Sequence, residues 1–199
     1  MWYERAKRGV DLAAAAVIVP VVLLAALALV GLNAALNPGP LFFRQTRMGR
    51  GGAPFTALKF RTMLPAGPDV GAAGARGAFD ALEAERITPL GRVLRRTRID
   101  ELPQILNVLA GSMSLIGPRP DQFEHAEVYL ETIPGYAERL AVKPGITGLA
   151  QTEVGYVSCR TGFRRKVRAD LLYIRRASMR TDAWILARTA MVVAGMKGS

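Results

Sequence analysis

The chain has 199 residues and a formal net charge of +11 at neutral pH. This length suits one domain or slightly more, and the basic balance favours a phosphate-bearing ligand or an anionic membrane surface. A single cysteine, Cys159, excludes an intrachain disulfide and indicates a reduced, cytosol-facing protein. A single histidine, His125, excludes metal sites built from several histidines, so any metal should be a hard cation on carboxylates, such as magnesium.

The first element is an uncharged apolar run at residues 12–32, LAAAAVIVPVVLLAALALVGL. As a helix it would measure roughly 32 Å, enough to cross a bilayer core. The run is longer than the apolar part of a secretory signal peptide, and Glu4 and Asp11 interrupt the basic segment before it. A signal peptide is therefore the least favoured interpretation.

Pro20 lies near the middle of this run, where proline removes a hydrogen bond and bends a helix. Basic residues flank the run on both sides, which places both of its ends in the cytoplasm. A helix that bends at Pro20 and returns satisfies both observations. Spacing alone leaves this re-entrant form and a kinked spanning helix almost equally favoured.

Beyond the turn NPGP at residues 37–40, two short strands are predicted within 41–45 and 54–63, around a glycine-rich hairpin turn. Residues 64–78 are rich in Gly, Ala and Pro and predict a mobile loop. Thr88 and Pro89 are typical of a helix start.

A second helix is predicted at about 101–110, followed by a rigid turn at GPRP around Arg119 and a helix near 121–140. The last 40 residues predict helices with a basic side and an apolar side. Such helices lie on an anionic membrane surface, or they pack normally with a solvated basic face, and the sequence favours neither.

The densest pattern is RRTRIDELPQ, residues 95–104. Asp100 is a favoured helix N-cap, and capping alone is one interpretation. However, Arg95, Arg98 and Arg119 would bring more positive charge than one carboxylate requires, and arginine binds phosphate oxygens in a bidentate fork. A carboxylate among cations stays ionised and can hold magnesium or attack phosphorus. The pattern therefore indicates phosphoryl-type transfer without identifying the donor.

Three segments together resemble the bacterial sugar transferase family, namely the small stand-alone monotopic phosphoglycosyl transferases. They are GPLFFRQTRMGRGGAPFTALKFRTM, LRRTRIDELPQILNVLAGSMSLIGPRP and VKPGITGLAQ. The resemblance extends from Lys7 to Thr189, including Asp170, Tyr173, Ser178 and Asp182. Two departures are Val19, where many members have Ser, and Ser112, where many have Asp.

This resemblance implies a mainly helical α+β fold with a re-entrant membrane helix over residues 1–36, bent at Pro20. A catalytic domain over residues 37–199 would face the cytoplasm at the bacterial inner membrane. It would contain a small β-hairpin, and its amphipathic helices would lie on the membrane surface.

The resemblance also implies a reaction, in which a sugar-1-phosphate passes from a UDP-sugar to polyprenyl phosphate with release of UMP. Asp100 would attack the β-phosphate, form a covalent phosphosugar intermediate and hold Mg²⁺, and Glu101 would assist. Lys59, Arg95 and Arg119 would surround the phosphates.

The alternative is a non-enzymatic, membrane-anchored basic protein that binds anionic lipid or nucleic acid. Its surface would need neither the acid pair nor the Pro-Arg-Pro turn. No stacking platform or nucleic-acid motif is visible, so nucleic acid is not expected as a partner. Inner-membrane lipid is expected as a partner, and a homodimer is compatible with the sequence. No pattern identifies the sugar.

Overall fold

The computed structural model describes residues 2–64, 86–155 and 160–195. The loop predicted at 64–78, apart from Leu64, and the lone Cys159 lie outside the described residues. The fold is mainly helical with short strands, so the predicted α+β class is confirmed. In chain order, the helices and strands are α1 (Trp2–Leu36), β1 (Phe42–Met48), β2 (Pro54–Phe60), α2 (Pro89–Thr97), α3 (Ile105–Ala110), β3 (Ser114–Ile116), α4 (Phe123–Thr132), β4 (Gly145–Thr147), α5 (Leu149–Glu153), α6 (Arg160–Arg175) and α7 (Met179–Ala194).

Helix α1 is the one helix among the described residues that is long and apolar enough to cross a membrane. It continues through Pro20, which lies on its exposed side. A buried stripe recurs at helical spacing along α1, at Asp11, Ala15, Val22, Leu29 and Asn33. Large apolar side chains on its other side are exposed, such as Leu27 at 74%. Helix α1 therefore packs lengthwise against the rest of the chain, while the predicted bend and re-entry stay predictions.

Both ends of α1 are fastened to the same body of protein. Near the N-terminus, Lys7 Nζ lies 2.7 Å from Asp182 Oδ2 of α7. Just beyond the C-terminus, Asn37 Nδ2 donates to the backbone oxygen of Arg61 over 2.9 Å. Between them, Asp11 accepts from the backbone nitrogen of Leu115 at 2.9 Å. The predicted division into residues 1–36 and 37–199 stays a prediction, but the two parts are in contact along the whole of α1.

The predicted hairpin is confirmed. Strands β1 and β2 pair antiparallel, with Phe43 opposite Lys59. Because side chains alternate along a strand, Lys59 and Arg61 share one face of the hairpin with Arg47 and Gln45 of β1. Lys59 on this face reaches the acid pair, because its Nζ donates a hydrogen bond to Glu101 Oε1.

Helix α2 begins as predicted, because the Thr88 side chain accepts a hydrogen bond from the Gly91 nitrogen at 2.9 Å. The single helix predicted at 101–110 is wrong: a 3₁₀ helix, Ile99–Gln104, precedes α3. Proline at position 103 has no N–H for a continuous α-helix, and the tighter first turn accommodates it.

The helix predicted near 121–140 is divided into α4 and a 3₁₀ helix, Ala137–Ala141. Between them Gly135 has a φ of 82°, in the left-handed region that ends helices. A short parallel pair, β3 with β4, was not predicted. Its strands lie very close, since a Cβ on Gly145 would lie 2.1 Å from the Gly117 nitrogen.

The predicted C-terminal helices are confirmed as α6 and α7. Helix α6 buries Phe163, Val167, Asp170 and Tyr173. Its exposed side is strongly basic and carries Arg164, Arg165, Arg168, Arg175 and, just past its end, Arg176. The amphipathic character is thus present, and contact of this face with a membrane stays a prediction.

Candidate active site

The 3₁₀ helix that follows α2 carries the acid pair. Arg98 ends α2 and starts the 3₁₀ helix with a φ of 61°, the only positive φ among the described non-glycine residues. The side chain of Asp100 lies in the first 3₁₀ turn and makes no cap bond, so the capping interpretation is wrong. Asp100 and Glu101 are both buried, at 7% and 8% exposure. Two adjacent buried acids have to be stabilised by other parts of the chain.

Glu101 receives that stabilisation from two distant cations. Lys59 Nζ of β2 donates to Glu101 Oε1 at 3.0 Å. Arg119 Nη1 donates to Oε2 at 3.1 Å, and its Nη2 donates to Oε1. Burial alone would raise the pKa of Glu101, but the charges and hydrogen bonds of Arg119 and Lys59 lower it well below its usual range. Glu101 is therefore ionised and fully engaged.

Asp100 is in the opposite situation. Its Oδ1 is buried and finds no hydrogen-bond partner among the described residues. Burial, and then the negative charge of Glu101, raise the pKa of Asp100, and the more distant cations offset this only in part. The sequence predicted that the cations surround Asp100, whereas in the structure two of them, Lys59 and Arg119, pair with Glu101. A carboxylate without partners is a better nucleophile and metal ligand than one held in ion pairs.

Asp100 lines a cavity of about 1030 Å³ between the hairpin and α2. Asp100 is the sole acid in the described wall of this cavity, which we call the cationic cavity. Six basic side chains line it, namely Arg44, Arg47, Lys59, Arg61, Arg86 and Arg95. This charge and volume suit a ligand with several phosphate charges.

The predicted phosphate-binding residues fall in two places. Lys59 and Arg95 line the cationic cavity, and Arg95 Nε also donates to the Thr62 hydroxyl at 3.0 Å. Arg119 lies instead on Glu101. Sequence reasoning missed the other four cavity-lining cations as candidates, namely Arg44, Arg47, Arg61 and Arg86. The alternation of Lys59 and Arg61 along one strand was the available signal for Arg61.

A magnesium ion fits this donor set only with help from a substrate. No group of three or more metal-ligating side chains occurs within the described residues. Magnesium commonly takes one or two carboxylates, phosphate oxygens and water. Asp100, with its free buried Oδ1, supplies such a carboxylate, while Glu101 is occupied by Arg119 and Lys59.

The site thus combines a buried carboxylate that has no ion pair among the described residues with a cation-rich cavity, and a long apolar helix packs nearby. These features are typical of a membrane-associated protein with a site for phosphate chemistry. The chain belongs to the bacterial sugar transferase family, whose sequence model matches residues 2–196. The family predicted from the motifs is thereby confirmed, and with it the prediction that the chain is a transferase.

Three curated relatives show what the chain resembles. A UDP-glucose:undecaprenyl-phosphate glucose-1-phosphate transferase from Caulobacter vibrioides is 46% identical over 92% of the chain. A UDP-N-acetylgalactosamine-undecaprenyl-phosphate N-acetylgalactosaminephosphotransferase from Aeromonas hydrophila is 39% identical over 96% of it. An Escherichia coli enzyme named like the first is 42% identical over 77% of it. The matches span 67%, 44% and 32% of these three relatives.

Proposed function

We propose that this protein transfers a sugar-1-phosphate from a UDP-sugar to undecaprenyl phosphate and releases UMP. The names of the relatives support both substrates. The free Oδ1 of Asp100, at the wall of the cationic cavity, is the observation that carries the mechanism.

In the first step, an Asp100 carboxylate oxygen attacks the β-phosphorus of the UDP-sugar. An oxygen–phosphorus bond forms, the bond from that phosphorus to the bridging oxygen breaks, and UMP leaves with the electron pair. The cationic cavity binds the diphosphate and stabilises the charge that develops on the leaving phosphate. Lys59 and Arg95 are the predicted phosphate ligands that line it.

In the second step, a phosphate oxygen of undecaprenyl phosphate attacks the same phosphorus. The bond between Asp100 and the phosphosugar breaks, which regenerates the carboxylate and yields undecaprenyl-diphosphate-sugar. Magnesium, held by Asp100 together with substrate phosphates, would neutralise part of the phosphate charge.

Glu101 prepares Asp100 for both steps. Because Glu101 takes up Lys59 and Arg119, Asp100 is left without an ion pair among the described residues. The negative charge of Glu101 also raises the pKa of Asp100, which makes the carboxylate more basic and more nucleophilic.

The membrane arrangement follows from α1. Its apolar exposed side suits lipid, and both of its ends contact the catalytic body. A spanning helix would separate its ends by a bilayer, so these contacts favour the arrangement with both ends in the cytoplasm. The acceptor phosphate is tethered at the bilayer surface, and a site fixed near that plane reduces the entropy lost in the encounter.

The test uses purified protein in lipid nanodiscs with a panel of UDP-sugars, including those of glucose and N-acetylgalactosamine. With the right donor and no acceptor, intact-protein mass spectrometry should show one added sugar phosphate and one equivalent of UMP. Asp100→Asn should lose the adduct and turnover, while Glu124→Gln, an exposed acid of α4, should keep both. Turnover by Asp100→Asn at a substantial fraction of the wild-type rate would exclude Asp100 as the nucleophile.

A further inference from the structure

We propose that Arg139 is a positioning residue for Arg119, an inference that rests on the function proposed above. Arg139 lies in the 3₁₀ helix Ala137–Ala141 and is 2% exposed. It is the centre of a buried cluster on the side of Arg119 away from Glu101. This cluster, the Arg139 network, comprises Asp121, Tyr136, Arg139, Lys166 and Asp170.

The Arg139 network connects three parts of the chain. Arg139 Nη1 donates to Asp121 Oδ2, and Nη2 donates to the backbone oxygen of Arg119 at 2.9 Å. The same Nη2 lies 2.8 Å from Asp170 Oδ2 of α6, an ion pair whose angle departs from that of a hydrogen bond. Asp121 also accepts from Lys166 and from the Tyr136 hydroxyl, each at 3.0 Å.

The Pro-Arg-Pro turn needs such support because of its composition. Pro118 and Pro120 have no N–H, so the turn depends on its backbone oxygens for attachment. Each of the four oxygens of residues 118–121 accepts a hydrogen bond. The donors, in order, are the Gly145 nitrogen, Arg139, Arg47 and the Met48 nitrogen. The backbone oxygen of Arg119 thus depends on the Arg139 side chain.

The backbone position of the Pro-Arg-Pro turn determines whether the Arg119 side chain can contact Glu101. Glu101 binds both terminal nitrogens of Arg119, an arrangement that tolerates little displacement of the backbone. Arg139 contacts neither acid of the pair, so its effect on Asp100 passes through Arg119 and Glu101.

A purely stabilising role explains the network poorly. Its two aspartates balance Arg139 and Lys166, and all four side chains are largely buried. Buried ion pairs of this kind stabilise a fold no better than apolar side chains of similar volume. Their geometric specificity is what an apolar replacement would lose.

The test is a double-mutant cycle on turnover in nanodiscs. Arg139→Lys keeps the charge but cannot reach Asp121, Asp170 and the Arg119 oxygen together. It should lower kcat by about 10- to 100-fold, as displacement of a reacting group does, and leave the KM for the UDP-sugar within about twofold. In an Arg119→Ala background the same change should have no further effect, because Arg139 acts on the acid pair only through the Arg119 side chain.

Asp182→Asn is the matched control, because it breaks a buried ion pair with Lys7 that lies outside the network. Its effect should multiply with that of Arg119→Ala. If the effects of Arg139→Lys and Arg119→Ala multiply in the same way, the positioning role is wrong. Tyr136→Phe removes only one hydroxyl from Asp121 and should reproduce the non-additivity in milder form if Arg139→Lys does not fold.

A second readout does not depend on activity. The Arg119 Nε signal, assigned in NMR spectra by its loss in Arg119→Ala, should shift in Arg139→Lys and Tyr136→Phe but not in Asp182→Asn. An unmoved signal overturns the inference. Absence of UMP release by the wild-type protein overturns the proposed function instead, and the signal still decides the position of Arg119.

Discussion

Both terminal nitrogens of Arg119 donate hydrogen bonds to the carboxylate of Glu101, and Arg119 forms no ion pair with Asp100. The arginine of the Pro-Arg-Pro turn therefore neutralises the neighbour of the proposed nucleophile. The two acids consequently differ in pKa, with Glu101 lowered by its cations and Asp100 raised by burial and by Glu101. Adjacent carboxylates with separated pKa values are suited to different roles in one reaction.

Glu101→Gln should remove this difference in pKa and slow the formation of the covalent adduct. Without the negative charge, Lys59 and Arg119 become available to Asp100, and the pKa of Asp100 falls. The carboxylate becomes less nucleophilic, so adduct formation in a single turnover should slow by about 100-fold, an effect as large as the loss of one preorganised hydrogen-bond donor from an active site. The acid limb of the pH–rate profile should move to lower pH.

Glu124→Gln, at an exposed position on α4, controls for the loss of one acidic charge. It should leave both the rate and the pH profile unchanged. An acid limb that stays in place in Glu101→Gln would mean that Glu101 does not set the pKa of Asp100.

The wild-type pH–rate profile should be bell-shaped. On the acid side, the rate should rise as Asp100 loses its proton, at a pH above the ordinary aspartate pKa of 3.8. On the alkaline side, burial and the nearby Arg119 lower the pKa of Lys59 to about 8, so the rate should fall as Lys59 loses its charge. Single-turnover adduct formation, measured across pH, checks both limbs.

Lys59→Arg separates the two limbs, because arginine stays protonated throughout this range. The alkaline limb should disappear or move to much higher pH, whereas the acid limb should remain. An unchanged alkaline limb in this variant would assign that limb to another group.

Local patterns predicted most of the fold, and long-range contacts account for the rest. The hairpin and the start of α2 depend on neighbouring residues, such as the Thr88 cap, and both are confirmed. The pairing of β3 with β4 depends on close approach at Gly117 and Gly145, which three-residue strands do not reveal.

The candidate site also has one part that the sequence predicts and one part that only the fold determines. The acid pair stands out in the sequence because two carboxylates follow a basic run. Its electrostatics do not, because the partners of Glu101 are 42 and 18 residues away and only the fold brings them to it. Two of the cations expected around Asp100 therefore pair with Glu101, and Asp100 has no ion pair among the described residues.

The exposed basic side of α6 should bind anionic lipid. Arg164, Arg168 and Arg175 recur at helical spacing and are exposed. Each arginine near an anionic surface contributes about 1 kcal/mol. Changing all three to Gln should therefore weaken binding to vesicles rich in phosphatidylglycerol by about 100-fold, measured by co-sedimentation of detergent-free protein.

The triple Arg→Lys variant is the matched control, since it keeps the charge and changes the side chain. It should bind like the wild type, and the binding of both should weaken with salt. Equal binding by the Gln variant would show that α6 does not face the membrane.

The membrane arrangement is tested most sharply by determining on which side of the membrane each end of α1 lies. Lys7 forms an ion pair with Asp182, and Asn37 donates to the backbone oxygen of Arg61, so both ends of α1 lie against the rest of the protein. In a Cys159→Ser background, a cysteine at either exposed flank, Glu4→Cys or Pro38→Cys, should resist a membrane-impermeant maleimide in intact spheroplasts. Both should react once the membrane is permeabilised. Glu124→Cys marks the cytoplasmic side, and labelling of Glu4→Cys in intact spheroplasts would establish a spanning helix instead.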